Sequence, residues 1–297
     1  MTHPTAIEPP DPVAPSGPAQ GPSLSKAAFE RIAQIARREA GLAINDGKSA
    51  MVRTRLARRL RAVGIDNFEG YCDLIEAPGN SELGHLISAL TTNVSHFFRE
   101  SHHFDFLRTE VVPRLRDNSK MGRKSMIWSA GCANGQEPYS IAMVLHEAGL
   151  PPSDVRILAT DIDPVVVSTA RRGRYPEHMT SGLTKEHRAR FLDASEDGQS
   201  CISADLRPYI LFNTLNLLDP WPMQKKFDAI FCRNVVIYFD KQTQSALWQR
   251  YGSMLHPNGW LFLGHSERID AAAENLFEKS GITTYTRRGD PTSRKET

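Results

Sequence analysis

Residues 125–138 read Ser125-Met126-Ile127-Trp128-Ser129-Ala130-Gly131-Cys132-Ala133-Asn134-Gly135-Gln136-Glu137-Pro138, and this stretch decides the fold. Met126 to Ala130 is a short apolar run with the length of a buried strand. Gly131 to Gly135 is a turn, and a helix begins at about Pro138, a residue suited to a first helical turn. A strand, a glycine-containing turn and a helix in that order bring the backbone close to a ligand beside a helix N-terminus. The turn lacks the G-x-G-x-x-G dinucleotide pattern, and no Gly-Lys-Ser/Thr follows, so it is not a nucleoside-triphosphate loop.

Working outward, the same texture continues downstream. Val155 to Thr160 reads as a second strand, Tyr209 to Asn213 as a third and Phe227 to Phe231 as a fourth. Trp260 to Gly264 is a fifth, after the turn His256-Pro257-Asn258-Gly259, and Thr283 to Arg287 a last one. Helical stretches alternate with them, which argues for a parallel, doubly wound α/β sheet over 123–288. The polar segment 173–208 breaks that rhythm and reads as an insertion, helical around Thr184 to Leu192 and then turning or forming a small β element.

Upstream, apolar residues at helical spacing predict four helices within 24–92. They run from Ser25 to Gly41, Ser49 to Val63, Phe68 to Glu76, and from an N-cap at Ser81 to about Leu90. These form a small all-helical domain. Residues 93–122 read as a connecting segment, Thr91 to Arg99, and a helix from about Ser101 to Leu115. Seven of the chain's 19 prolines fall in residues 1–22, so 1–23 reads as a disordered proline-rich tail. Residues 289–297 read as a flexible tail.

The 297 residues suit about two domains. Lys+Arg (36) and Asp+Glu (34) nearly balance, so any attraction to a charged partner must come from a local patch. That patch is the second helix, where Lys48, Arg53, Arg55, Arg58, Arg59 and Arg61 occur with no acid between 47 and 64. No aromatic platform accompanies it, which argues against nucleic acid. The four cysteines form no CxxC pair, so neither a disulfide framework nor a zinc knuckle is expected and a cytoplasmic location fits. No apolar run approaches the roughly 18 residues of a membrane span, and prolines stand where a signal peptide would be apolar.

Ligands of doubly wound sheets sit outside the carboxyl ends of the strands. Asp161 ends the second strand, where a carboxylate accepts hydrogen bonds from ribose hydroxyls, whereas Asp163 reads as a helix cap. Glu137 lies in the first helical turn, where its carboxylate either simply complements the helix dipole or also faces the crevice. Cys232-Arg233-Asn234-Val235 and Tyr238 follow the fourth strand: Arg233 offers a planar fork for a carboxylate, Asn234 can bond backbone and ligand, and Phe239 reads as a packed aromatic. His102 and His103 are adjacent, with no acid or cysteine spaced to help, so no metal is expected. Cys132 and Cys232 read as small buried hydrophobes.

Five stretches carry a resemblance: Asn93 to Glu100, Trp128 to Ser140, Ala159 to Asp163, Asn216 to Leu218, and Phe227 to Asp240. Together, in that order and over about residues 25–288, they resemble the chemotaxis receptor methyltransferase family, CheR. The resemblance implies a helical N-terminal receptor-docking domain before a Rossmann-like, class I S-adenosylmethionine-binding methyltransferase domain with a small inserted β-subdomain. It implies methyl transfer to glutamate side chains on chemoreceptor cytoplasmic helices. It places cofactor contacts on Asn93, Ser95, Arg99, Glu137, Asp161, Asn216, Leu217, Asn234 and Val235. Arg99, Arg233 and Tyr238 fall near the transferring methyl, and Arg53, Arg55, Arg58 and Arg59 on the docking helix. Position 95 is Ser where Thr is expected, which keeps the hydroxyl, and position 136 is Gln where Glu is usual. The insertion lacks the glycine-rich loop associated with binding a receptor's C-terminal pentapeptide. A monomer is expected, with no nucleic-acid partner and no membrane insertion. The rival readings are a methyltransferase for RNA or a small molecule, and a non-catalytic cofactor sensor.

Overall fold

The computed structural model describes residues 22–194 and 198–289. All but the last two residues of the expected N-terminal tail and all but the first residue of the C-terminal one therefore lie outside the described residues. Four helices come first: α1 (Lys26–Ala40), α2 (Ser49–Val63), α3 (Phe68–Glu76) and α4 (Glu82–Leu90). Their apolar stripes meet in one core that buries Phe29, Ile32, Val52, Leu56, Phe68, Tyr71 and Leu86. Ser25 and Asn67 cap α1 and α3 by accepting from Ala28 N and Gly70 N. At α4 the expected cap is displaced by one residue. Ser81 makes no side-chain capping bond, and Asn80 Oδ1 accepts the Glu82 N–H instead, at 2.6 Å.

A longer helical rod than expected follows. It comprises α5 (His102–Phe106), a π turn (Leu107–Val111) and α6 (Val112–Lys120). Pro113 has no N–H to return to a carbonyl one turn back, and the rod widens to π just before it and continues past Leu115.

The second unit alternates as expected: β1 (Ser125–Ala130), α7 (Gln136–Glu147), β2 (Val155–Asp161) and α8 (Pro164–Arg172). The insertion then supplies β3 (Arg174–Tyr175), α9 (Lys185–Phe191), β4 (Leu192–Ala194) and β5 (Ser200–Ile202), with the three strands paired antiparallel as a separate small sheet. The chain returns through β6 (Ile210–Thr214), β7 (Phe227–Cys232), α10 (Lys241–Met254), β8 (Leu255–Leu263), β9 (Phe277–Gly281) and β10 (Thr284–Arg287).

The large sheet has the order β6-β2-β1-β7-β8-β10-β9. Its first five strands are parallel, and the terminal hairpin is antiparallel. Alternate side chains of β1 enter cores on opposite faces, Ile127 on one and Trp128 on the other. Strand order reverses between β1 and β7, which opens a crevice at their carboxyl ends.

Two details differ from expectation. His256-Pro257-Asn258-Gly259 is not a turn before a strand but lies inside β8. Pairing with β7 steps from Phe227↔Leu255 to Ala229↔Trp260, so the extra residues bulge out, with Asn258 left-handed at φ 59°. The edge strand β9 carries Glu278-Lys279-Ser280, which face solvent and give no alternating apolar signal.

Candidate functional site

The carboxyl ends of β1, β2, β6 and β7 open into a cavity of about 400 Å³, roofed by Ala40 and Leu42 of the helical unit and Thr91 beyond α4. All eleven residues singled out in the strand ends and the connecting segment line this one cavity. They are Asn93, Ser95, Arg99, Glu137, Asp161, Asn216, Leu217, Arg233, Asn234, Val235 and Tyr238. The loops that deliver them are bent hard. Of the six left-handed non-glycine residues among those described, Phe98 (φ 53°), Glu100 (58°), Ala133 (46°) and Asn234 (59°) lie in loops that border the cavity. Such conformations cost of order 1–3 kcal/mol each and persist where the surroundings impose them. Gly131, at φ 101°, lets the turn after β1 pass the Val235 side chain, where a Cβ would collide.

Asp163 takes the cap role expected of it, with additions. Asp163 caps α8 by accepting from Val165 N at 2.9 Å. It also accepts from Ser88 and from Asn93 Nδ2, so Asn93 ties the connecting segment to the α8 cap as well as lining the cavity. The Asp161 carboxylate is not without protein partners: Oδ2 accepts from Ala133 N at 2.9 Å and Oδ1 from Asp163 N at 3.1 Å. Burial pushes its carboxyl above the ordinary range, opposed by those two N–H groups. Each oxygen can accept a second hydrogen bond, and the residue lines the cavity.

Arg233 departs most from the sequence reading. Its side chain is only 2% exposed and its fork is already taken. Nη1 donates to Glu137 Oε2 at 3.0 Å, and Nη2 donates to the Arg99 carbonyl and stands 3.4 Å from Glu100 Oε2. Glu137 in turn accepts from Ser129 Oγ at 2.8 Å. Burial pushes the Glu137 carboxyl up, with Arg233 and Ser129 pulling the other way. For Glu100 burial also acts upward, but Arg233 and the His265 N–H outweigh it and hold the group below its usual value. Arg233 is therefore the centre of a charged floor rather than an open clamp for an arriving carboxylate.

At the mouth stand Tyr238, Arg99 and His96. Ala43 N donates to the Tyr238 carbonyl at 2.8 Å, and Asn216 Nδ2 to the Glu39 carbonyl at 2.9 Å, so the end of α1 is stitched across the opening. Arg99 Nη1 reaches the Val94 carbonyl at 3.0 Å. His96 was not anticipated. Desolvation and the charges of Arg99 and Arg233 push its imidazole below its usual value, so it is neutral at pH 7.

The docking arginines of α2 separate into two kinds. Arg53 and Arg58 are exposed, with Arg61 and Lys48 beside them. Arg55 and Arg59 are committed inward. Arg55 Nη1 donates to the carbonyls of Leu90 (2.9 Å) and Thr91 (3.0 Å), satisfying the C-terminal end of α4. Arg59 forks onto the buried Glu82 at 2.9 and 2.7 Å, and Tyr71 Oη donates to the same carboxylate at 2.8 Å. Of the four expected docking arginines, two therefore have their donors engaged within the helical unit. Spacing showed a helix of uncompensated charge, but acids and carbonyls outside the helix compensate two of its arginines.

His102 and His103, expected to have no acid near them, do have one. Glu100 does come to them, and their ligand atoms lie within 4.8 Å of one another. Arg233 already places a positive charge 3.4 Å from the Glu100 oxygen, and His103 Nε2 lies 2.9 Å from Thr283 Oγ1.

A crevice of this shape at the switch point of a doubly wound sheet, with an acid at the end of the second strand, defines a nucleoside-cofactor enzyme of the class I methyltransferase architecture. Comparison with known proteins agrees. Residues 27–91 match the CheR methyltransferase all-alpha domain, and residues 93–286 the CheR methyltransferase SAM-binding domain. The chain is 42% identical over 255 residues to a probable chemotaxis protein methyltransferase of Rhizobium etli, covering 83% of this chain and 94% of that one. It is 38% identical to the chemotaxis protein methyltransferase of Borreliella burgdorferi (83% and 90% covered) and 39% identical to that of Salmonella typhimurium (89% and 91%). The protein belongs to the CheR methyltransferase family, and its cofactor is S-adenosylmethionine. The cavity fits that group: Asp161 offers free lone pairs to a ribose, and Glu137 a buried carboxylate to an ammonium. No described helix is long and apolar enough to cross a membrane.

Proposed function

We propose that the protein methylates glutamate side chains on the cytoplasmic helices of chemoreceptors, as a protein-glutamate O-methyltransferase of chemotaxis-type adaptation. The observation that carries this reading is the junction of the two units. One cavity is built from strand ends and from the end of α1, and the helix that follows α1 bears an exposed basic face. Chemistry and docking therefore adjoin, as a protein substrate requires.

The cofactor supplies an electrophilic methyl group on a sulfonium. A glutamate acceptor has an ordinary pKa of about 4.3 and arrives ionised, so no residue has to take a proton. The neutral His96 is not needed as a base. Asp161 orients the ribose, while Glu137, fixed by Ser129 and Arg233, faces the amino-acid end. Asn216 and Leu217 border the nucleoside end, with Asn93, Ser95, Asn234 and Val235 completing the walls. Arg99 and Tyr238 steer the acceptor at the mouth, and the α1 stitch excludes water. Alignment of this kind supplies up to about 7–11 kcal/mol in favourable cases. Arg53 and Arg58, with Arg61, meet the acidic surface around the target. The partner is a chemoreceptor cytoplasmic domain, and the protein acts as a cytoplasmic monomer.

Single-turnover methylation of a receptor cytoplasmic fragment across pH tests the reading. A carboxylate acceptor gives a rate that is flat from about pH 6 to 8.5. His96→Ala leaves that rate unchanged, and Tyr238→Phe keeps cofactor binding but loses turnover. A rate that climbs with pH, or is lost with His96, points to an amine or hydroxyl acceptor and contradicts the proposal.

A further inference from the structure

Glu267 lies outside every stretch considered so far and does not line the cavity, yet it holds the loop that does. Its carboxylate is 3% exposed and has no arginine or lysine paired to it among the described salt bridges. It is held instead by main-chain donors. Oε2 accepts from Gly264 N at 2.6 Å and from Asn234 N at 3.0 Å, and Oε1 accepts from Ile237 N at 3.3 Å. Burial pushes the carboxyl up and these amides draw it down. One side chain thus gathers N–H groups from the end of β8 and from both sides of the turn after β7.

That turn is under constraint. Asn234 is left-handed at φ 59°. Its Nδ2 reaches Glu100 Oε1 at 3.4 Å, so a second, partly buried carboxylate holds its side chain. Gly264 approaches so closely that a Cβ there would collide with Asn234 Nδ2 and lie 2.7 Å from Asn234 N. Downstream, Val236–Tyr238 is a short 3-10 turn, ending on the residue whose carbonyl receives the α1 stitch. Pinning the amides of Asn234 and Ile237 fixes both ends of the segment that presents Val235 and Tyr238 to the cavity.

We propose that Glu267 is a positioning residue for methyl transfer: its carboxylate acts as a main-chain clamp that sets Asn234 to Tyr238 at the height the acceptor and cofactor need. The inference rests on the methyltransferase reading of this cavity. Both carboxylate oxygens are needed here: glutamine keeps the shape but offers one acceptor oxygen where two are used, and turns an N–H toward a donor.

The test uses the full chain with Glu267→Gln, and Gly264→Ala as a second variant that displaces the same turn from its other side. Kinetics are normalised to the fraction of molecules that bind S-adenosylhomocysteine in calorimetry. Both variants are expected to lower kcat by about tenfold or more, since misplacement by about 1 Å costs up to a hundredfold, with KM for the receptor fragment held within about twofold. Combined with Tyr238→Phe, Glu267→Gln should add little further loss, because both act through the placement of the Tyr238 hydroxyl. Hydrogen exchange on the wild-type protein should show the Asn234 and Ile237 amides protected, a result that needs no variant to fold. Unchanged kcat per active molecule, multiplicative losses in the double variant, or freely exchanging amides would each overturn the clamp. If wild type fails to methylate the fragment, the receptor reading falls. The clamp is then judged by cofactor affinity, which Glu267→Gln should weaken several-fold, and by the exchange data.

Discussion

Arg233 and Arg58 carry the same guanidinium into opposite surroundings. Arg233 is buried at the crevice floor between Glu137 and Glu100 with both terminal nitrogens engaged, whereas Arg58 stands exposed on α2. Arg55 and Arg59 lie between these limits, on the docking helix but turned inward to α4 and Glu82. The floor gains from its arginine a fixed geometry, because the buried Glu137 and the partly buried Glu100 both lean on it. The helix gains a field that costs nothing to interrupt. Charge in the floor is structure that serves chemistry, and charge on α2 is reach toward a partner.

The contrast breaks first at Arg233. Arg233→Met leaves the buried Glu137 and the partly buried Glu100 without their cation and should cost about 3–5 kcal/mol in urea unfolding, while Arg58→Ala should stay within about 0.5 kcal/mol. Comparable losses at the two positions would erase the distinction. Next in size is Asp161→Ala. It removes the ribose acceptor together with the ties to Ala133 and Asp163, and should weaken cofactor binding by about tenfold or more in calorimetry, a loss of roughly 1.4 kcal/mol. Unchanged affinity would remove the ribose assignment.

A third test asks how far the floor's charge extends. Burial, and then the nearby Arg233, hold His103 down to about 3. The unfolded chain takes up this proton near pH 6.5 and the native protein only near 3. The stability contributed by the neutral ring is therefore complete above pH 6.5 and is lost as pH falls toward 3, at up to about 1.4 kcal/mol per pH unit. His103→Gln should flatten that slope in denaturation curves at pH 4.5, 5.5 and 6.5; an unchanged slope would assign acid sensitivity elsewhere. The smallest effect belongs to the surface. Replacing Arg53, Arg58 and Arg61 together by Gln should raise KM for a receptor fragment about fivefold at low salt, less at high salt, and leave cofactor affinity intact. Equal loss of cofactor binding would make the patch structural.

Much of this was legible in the chain. Apolar runs marked β1, β2 and β7, and position at a strand's end selected Asp161 and Arg233, because a parallel sheet puts its crevice there. Tertiary partners were not legible. Nothing near Arg233 in sequence announces Glu100, nothing near Arg59 announces Glu82, and Glu267 sits in a polar loop of no distinctive pattern. The same limit hid the bulge at Asn258, since a Pro-Asn-Gly run reads as a turn whether the strand ends or bows outward.

The most direct measurement is the chemical lability of the transferred methyl. After incubation of the protein with labelled S-adenosylmethionine and a receptor cytoplasmic fragment, mild alkali should release the label as volatile methanol, because a carboxyl ester hydrolyses there. Label that stays on the protein through alkali, as an amine or ring methyl would, contradicts the account.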